Sequence, residues 1–130
     1  MLRYAVLALF ALWTTSCTTL TANSSPDEKQ KIVAARAEAR WQAIINKDFD
    51  TAYGFLSPAS RATVTRAGFK TVASRLAYRA AKVTRVSCDA AVCKVGIDLT
   101  YDAPMMKGVR TPLQESWIID KGQAWFVWGA

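Results

Sequence analysis

From Ser25 the apolar residues recur at helical spacing, with Val33, Ala37, Trp41, Ile44 and Ile45 on one face and Lys31, Glu38 and Gln42 on the other. Ser25 stands where an N-cap belongs, Pro26 takes the first helical position, and Glu28 three residues after the cap completes a capping box. A long helix is therefore predicted from residue 26, ending at the polar break of residues 46–48. A shorter helix follows with Phe49, Ala52, Tyr53, Phe55 and Leu56, and Ser57-Pro58 ends it and can open another turn. Thr65 is placed to cap one more short helix, carrying Phe69, Val72 and Leu76.

After Tyr78 the period changes to alternation. Residues 79–87 read as one strand and 92–101 as a second, in which Cys93, Val95, Ile97, Leu99 and Tyr101 face the same way. Residues 102–108, with Pro104, read as a loop, and a third strand is expected over 111–119. Asp120-Lys121-Gly122 is a tight hairpin turn returning into a last strand over 124–128. Helices first and an antiparallel meander afterwards predict an α+β fold, with N-terminal helices packed on a curved antiparallel sheet.

Ahead of this domain the chain opens with Arg3, an apolar run from Ala5 to Trp13, and small polar residues up to Cys17. That is the layout of a secretory signal. Nine apolar residues rise only roughly 14 Å as a helix, too little for a hydrocarbon core of about 30 Å. Thr15-Ser16-Cys17 resembles the bacterial lipobox, although Thr14 stands where an aliphatic residue is usual; the alternative is an ordinary secretory peptide with an incidental cysteine. The expected division is a signal peptide over 1–16, a lipidated Cys17 and flexible tether over 17–25, and the folded domain over 26–130. That places the domain on the periplasmic side of a bacterial envelope, held to the membrane by its lipid, and Thr18 after the cysteine favours the outer membrane.

Export also bears on Cys88 and Cys93. Four residues separate them in a stretch that otherwise alternates, so a hairpin disulfide in an oxidising compartment is the reading, against a redox pair or half a metal site. The 130 residues contain no histidine, which removes Ser-His, Cys-His and His-metal chemistry and leaves no metal or other cofactor to expect. Apolar residues make up 52%, enough for one real core.

The segment ARWQAIINKDFDTAYGFLSPASR, the CDAAVC hairpin and the terminal WIIDKGQAWFVW resemble the nuclear transport factor 2-like superfamily, with its steroid-isomerase and polyketide-cyclase members, over residues 27–128. The resemblance implies a cone-shaped helix-and-sheet fold and, through an open sheet face, a homodimer. It also implies where an enzyme would keep its machinery: a carboxylate inside the cone and a donor for an enolate. The candidates are Glu115 and Asp98 as acids with Tyr53 and Tyr101 as donors. Asp98 alternates against Ile97 and Leu99 and points to solvent or a neighbouring strand, whereas Glu115 shares parity with Leu113, Trp117 and Ile119, hence lies in the pocket or pairs there with an Arg.

Two further features bear on binding. Trp41, Tyr53, Phe69 and Trp117 are candidate pocket residues, with plain core as the alternative. Arg61, Arg66, Lys70, Arg75, Arg79, Lys82, Arg85 and Lys94 form a basic run containing the single acid Asp89, in a chain of net charge +7. In an exported domain such a run faces anionic envelope components or an envelope protein and not nucleic acid, or is simply a solvated face. The function expected is that of an envelope lipoprotein whose domain binds or scaffolds without turnover; the alternative is a small-molecule isomerase or cyclase.

Overall fold

The computed structural model describes residues 19–130; Cys17 and the signal segment expected over 1–16 lie outside them. Among the described residues four helices, α1 (Pro26–Ile45), α2 (Phe49–Gly54), α3 (Pro58–Thr63) and α4 (Arg66–Ala73), precede four strands, β1 (Ala77–Asp89), β2 (Val92–Ala103), β3 (Met106–Asp120) and β4 (Gln123–Phe126). The strands form an antiparallel meander in sequential order, open at both edges, and the helices pack on one face. The expected α+β fold is the one observed.

Each helix starts on a side-chain cap. The Ser25 hydroxyl accepts from the Glu28 amide at 3.2 Å, the Asp48 carboxylate from Thr51, Ser57 from Ser60 and Thr65 from Gly68, so one orphan donor is satisfied at each start. Between α1 and α2 Lys47 takes φ 61°, the left-handed value that turns the chain back under the helix. Along α1 the predicted stripe of Val33, Ala37, Trp41 and Ile44 is buried, and Arg40 is buried with it. Opposite stand the inward positions of β2, Cys93, Val95, Ile97 and Leu99, with Trp117 and Ile119 of β3 and Phe69 of α4. Lys29 lays its stem along the core and donates to the Ala90 carbonyl at 2.9 Å, closing the β1–β2 turn from the helix side.

In that turn Cys88 and Cys93 stand opposite one another and are disulfide-bonded, as expected, with their Cα atoms 4.0 Å apart. The β3–β4 turn is also as read: Lys121 and Gly122 both take positive φ, the requirement of a two-residue hairpin with the twist of its strands.

Three details differ from the sequence reading. Residues 102–108 are not a loop: β2 runs to Ala103, and β3 resumes at Met106 after only Pro104 and Met105. Asp102 closes this hairpin by accepting from the Gly108 amide at 2.9 Å and from Arg79 Nε at 2.8 Å, and those bonds hold its carboxyl below the usual carboxylate range. The last strand is short and ends at Phe126, where the segment Phe55–Ser57 crosses its edge: the Phe126 amide donates to the Phe55 carbonyl at 2.8 Å and the Ser57 amide to the Phe126 carbonyl at 2.9 Å. The third difference is at the tether. Leu20 is 2% exposed in the core, and its amide donates to the Gly122 carbonyl at 3.1 Å, so the docked chain begins ahead of α1. A single leucine among Thr and Ser gives no period from which docking could be read.

Truncating that leucine separates a tether from a docked segment. Leu20→Ala is expected to cost about 2–5 kcal/mol by chemical denaturation, the range for a buried leucine; a solvated tether would lose nothing.

Candidate functional site

Where the sheet and α1 diverge towards α4, a cavity of about 300 Å³ opens. Trp41 and Ile44 of α1, Phe69 and Ala73 of α4, Tyr78 of β1 and Phe126 of β4 form its apolar wall. The charged side chains lining it are Arg40 and Glu115. Both are 4% exposed, and they meet as an ion pair, Arg40 Nη1 to Glu115 Oε1 at 2.8 Å.

The setting of Glu115 decides its chemistry. The same Oε1 accepts from the Trp41 indole at 2.8 Å, and Oε2 accepts from the Trp117 indole at 3.0 Å. Three N–H donors therefore converge on its two oxygens. The guanidinium of Arg40 lies with Cζ 3.6 Å from the Phe126 ring centroid, a cation over an aromatic face. Burial pushes Arg40 down from its ordinary value and Glu115 draws it back; a guanidinium stays charged throughout. One atom is left over. Arg40 Nε is buried and has no hydrogen-bond partner among the described residues.

Tyr78 completes the wall. Its ring meets Trp41 edge-on at 5.3 Å and Tyr101 at 6.2 Å, and burial raises its hydroxyl above the usual tyrosine value, with Tyr101 adding to the shift. It therefore stays protonated, a potential donor.

The acids and phenols expected to act together are not assembled. Of the four, Glu115 is in the cavity, held in one of the two arrangements its parity allowed, paired with an Arg. Asp98 lies on the other face of the sheet, between buried Ile97 and Leu99, with Arg110 at 3.9 Å. The Tyr53 hydroxyl donates to the Val64 carbonyl at 2.9 Å and ties α2 to the α3–α4 junction. Tyr101 bonds to Thr111 at 3.2 Å, behind Tyr78. Among the pocket candidates, Trp41 and Phe69 line the cavity, Trp117 sits beneath it as a donor to Glu115, and Tyr53 packs behind Phe69 at 5.7 Å.

Arg40 and Tyr78 were absent from the sequence candidates. Arg40 had a signal: it is seven residues after Val33 and three after Ala37, a charge on the apolar stripe of α1, matching Glu115 on that of β3. Tyr78 had none, because it stands at the change from helical to alternating period.

The basic run is divided by the fold. Arg61 is on α3, Arg66 and Lys70 are on α4, Arg75 lies between α4 and β1, and Arg79, Lys82, Arg85 and Lys94 are on the sheet. Arg66 bonds to Asp50 at 3.2 Å, and Arg79 to Asp102. Among the described residues no three His, Cys, Asp or Glu side chains gather as a metal site, and no helix is long and apolar enough to cross a membrane.

No protein-family model matches this chain, and no curated protein matches it. A solved structure does: the solution structure of a SEC-C motif containing protein from Rhodopseudomonas palustris is 16% identical, with a TM-score of 0.60 over 72% of this chain and 73% of that one. At that identity the likeness is one of fold. These comparisons overturn the nuclear transport factor 2-like resemblance and the lipoprotein identity joined to it: the structural neighbour is described as a SEC-C motif protein, and neither finding points to the superfamily or to a lipoprotein. The physical reason is that the resemblance rested on an order of elements, helices and then a meander, which many α+β domains share.

The pair at the centre of the cavity predicts strong non-additivity. Glu115→Gln leaves a buried guanidinium uncompensated and is expected to cost about 3–5 kcal/mol. Arg40→Met introduced on top of Glu115→Gln is expected to cost far less than Arg40→Met alone, a difference read from a double-mutant cycle in denaturant.

Proposed function

We propose that this chain is a binding domain that acts without turnover, and that its cavity takes a small, mostly apolar ligand bearing one hydrogen-bond acceptor. The observation that carries this reading is the aromatic-walled cavity itself, lined by Tyr78, whose hydroxyl stays protonated as a donor, and by Arg40 and Glu115, whose charges are already paired. An acceptor on the ligand can be met by the Tyr78 hydroxyl while the aromatic wall covers the rest of the ligand. Because Glu115 already balances Arg40, the acceptor that fits is neutral, a carbonyl or an ether; an anion would meet a carboxylate at 2.8 Å from the same guanidinium. Both Glu115 oxygens hold N–H donors, which favours binding over proton abstraction by that residue.

The Cys88–Cys93 disulfide supports placing the domain in an oxidising compartment, and the periplasmic side of a bacterial envelope is the one proposed. Mass spectrometry of the native protein without reductant is expected to find the peptide bearing these cysteines two hydrogens lighter than its reduced form. Recovery of both free thiols from native material would remove that placement.

Cyclohexanone and methylcyclohexane, similar in size and different in having a carbonyl, test the site. Titrated into the protein, the ketone is expected to shift the Tyr78 ring and Trp41 indole resonances saturably and to bind at least tenfold more tightly than the hydrocarbon. Ala73→Leu, which fills the cavity from α4, is expected to abolish both. Equal affinity for the two probes would remove the hydrogen bond from Tyr78, and no saturable shift with either would remove the cavity as a ligand site.

A further inference from the structure

The outer face of the same sheet carries a feature that the cavity does not use. On β2, Lys94, Gly96 and Asp98 alternate with the buried Val95 and Ile97 and so point away from the helices. In register, Arg85 of β1 lies beside Gly96 and Gln114 of β3 lies beyond it; in the next row Ser87, Lys94 and Ser116 stand abreast. Glycine in the middle of that row puts no side chain between its neighbours. A groove of about 530 Å³ follows, bordered by Arg85, Ser87, Lys94, Pro112 and Gln114, with Gly96 as its floor. Tightness there is real, since a Cβ on Gly96 would stand 3.0 Å from Thr84 Oγ1.

We propose that this groove is an oxyanion site that binds the phosphate group of a ligand. Four side chains around it can donate: the Arg85 guanidinium, the Lys94 ammonium, the Ser87 hydroxyl and the Gln114 amide. Two are cations and no acid lines the groove; the nearest acid along β2, Asp98, faces Arg110 at 3.9 Å. Lys94 is already oriented, because its ammonium donates to Ser116 Oγ at 2.6 Å, which lowers the entropy lost when it engages a ligand. Donors arriving from three strands match a group with three or more terminal oxygens. A carboxylate, with two, would leave part of the set unused. The basic run that the fold divides thus keeps one concentrated member here, where Arg85 and Lys94, nine positions apart in sequence, border one groove.

Phosphate reaches such a groove on a soluble compound or on a lipid headgroup, and two arms separate them. In the first, inorganic pyrophosphate is titrated into the full chain and followed by amide and side-chain NMR shifts. In the second, cosedimentation is measured with phosphatidylglycerol vesicles and with phosphatidylcholine vesicles as control. The expected result is a saturable response of Arg85, Lys94, Gly96 and the Gln114 side chain in the first arm, or retention on phosphatidylglycerol alone in the second. Either must weaken at least tenfold in the Arg85→Gln/Lys94→Gln double variant. Both residues are exposed, so the variant is expected to keep the Trp117 indole resonance of the folded core unchanged. Binding in the first arm assigns a soluble phosphate compound, and binding in the second assigns a headgroup. No response in either arm, or a response that the double variant retains, overturns the proposal.

Discussion

The structure turns on one buried charge pair. Arg40 and Glu115 come from a helix and a strand 75 residues apart in sequence, and both are buried. Removing two charges from water costs several kcal/mol per ion, and their attraction offsets this only when the remaining lone pairs and protons are also met. Two indoles supply that condition. Trp41 and Trp117 direct their N–H groups at the two carboxylate oxygens, and Phe126 presents its ring to the guanidinium. The arrangement has one geometry. It fixes the rotation of α1, which must present Arg40 and Trp41 together, and the facing of β3, which must present Glu115 inward. Apolar packing alone tolerates small slips of a helix along a sheet, whereas these hydrogen bonds do not.

From that anchor the cavity follows. Arg40 needs room beside Phe126, and α1 and the sheet separate towards α4 with the gap walled by Phe69, Ala73 and Tyr78. The short β4 has a consequence on the sheet as well. Since β4 pairs only with residues Trp117–Asp120, the stretch of β3 before Trp117 has no strand beyond it. That is why Pro112 is tolerated inside β3: its missing N–H faces an unpaired edge. Pro112, Arg110 and Lys107 along this stretch are also the residues that discourage a second chain from adding to it.

Local chemistry carries most of what the sequence revealed. The caps Ser25, Asp48, Ser57 and Thr65 are side chains whose oxygens can reach an amide three residues on, a relation visible in one dimension. The change of period at Tyr78, the Lys121-Gly122 turn and the paired cysteines are equally local. What escaped was non-local. Leu20 is buried because the β3–β4 turn, a hundred residues later, offers it a place and a carbonyl. Residues 102–108 read as a loop because Pro104 and Gly108 are turn residues, yet Asp102 and Arg79 hold the strands together almost to Pro104. Arg40 looked like one more helix charge until Glu115 was opposite it. The superfamily resemblance went astray for a related reason: element order is legible in a sequence, and the tertiary arrangement that separates one α+β family from another is not.

Glu115 and Gln114 are neighbours on β3 and look to opposite faces. One completes the ion pair inside the helix layer, and the other borders the groove above Gly96. Because side chains alternate strictly along a strand, a slip of one residue in the β2–β3 register would turn Glu115 out and Gln114 in, and would take Gln114 from beside Gly96. Both candidate sites therefore depend on the β2–β3 register, and the outer groove on the β1–β2 register as well. The Cys88–Cys93 bridge sets the β1–β2 register and Asp102 closes the β2–β3 hairpin, while the two indole bonds to Glu115 make any other β2–β3 register leave a charge buried without its partners. Opposing chemistry on the two faces thus specifies the register more narrowly than hydrophobic alternation does, since a slip leaves Arg40 buried without its partner and also removes Gln114 from the groove outside.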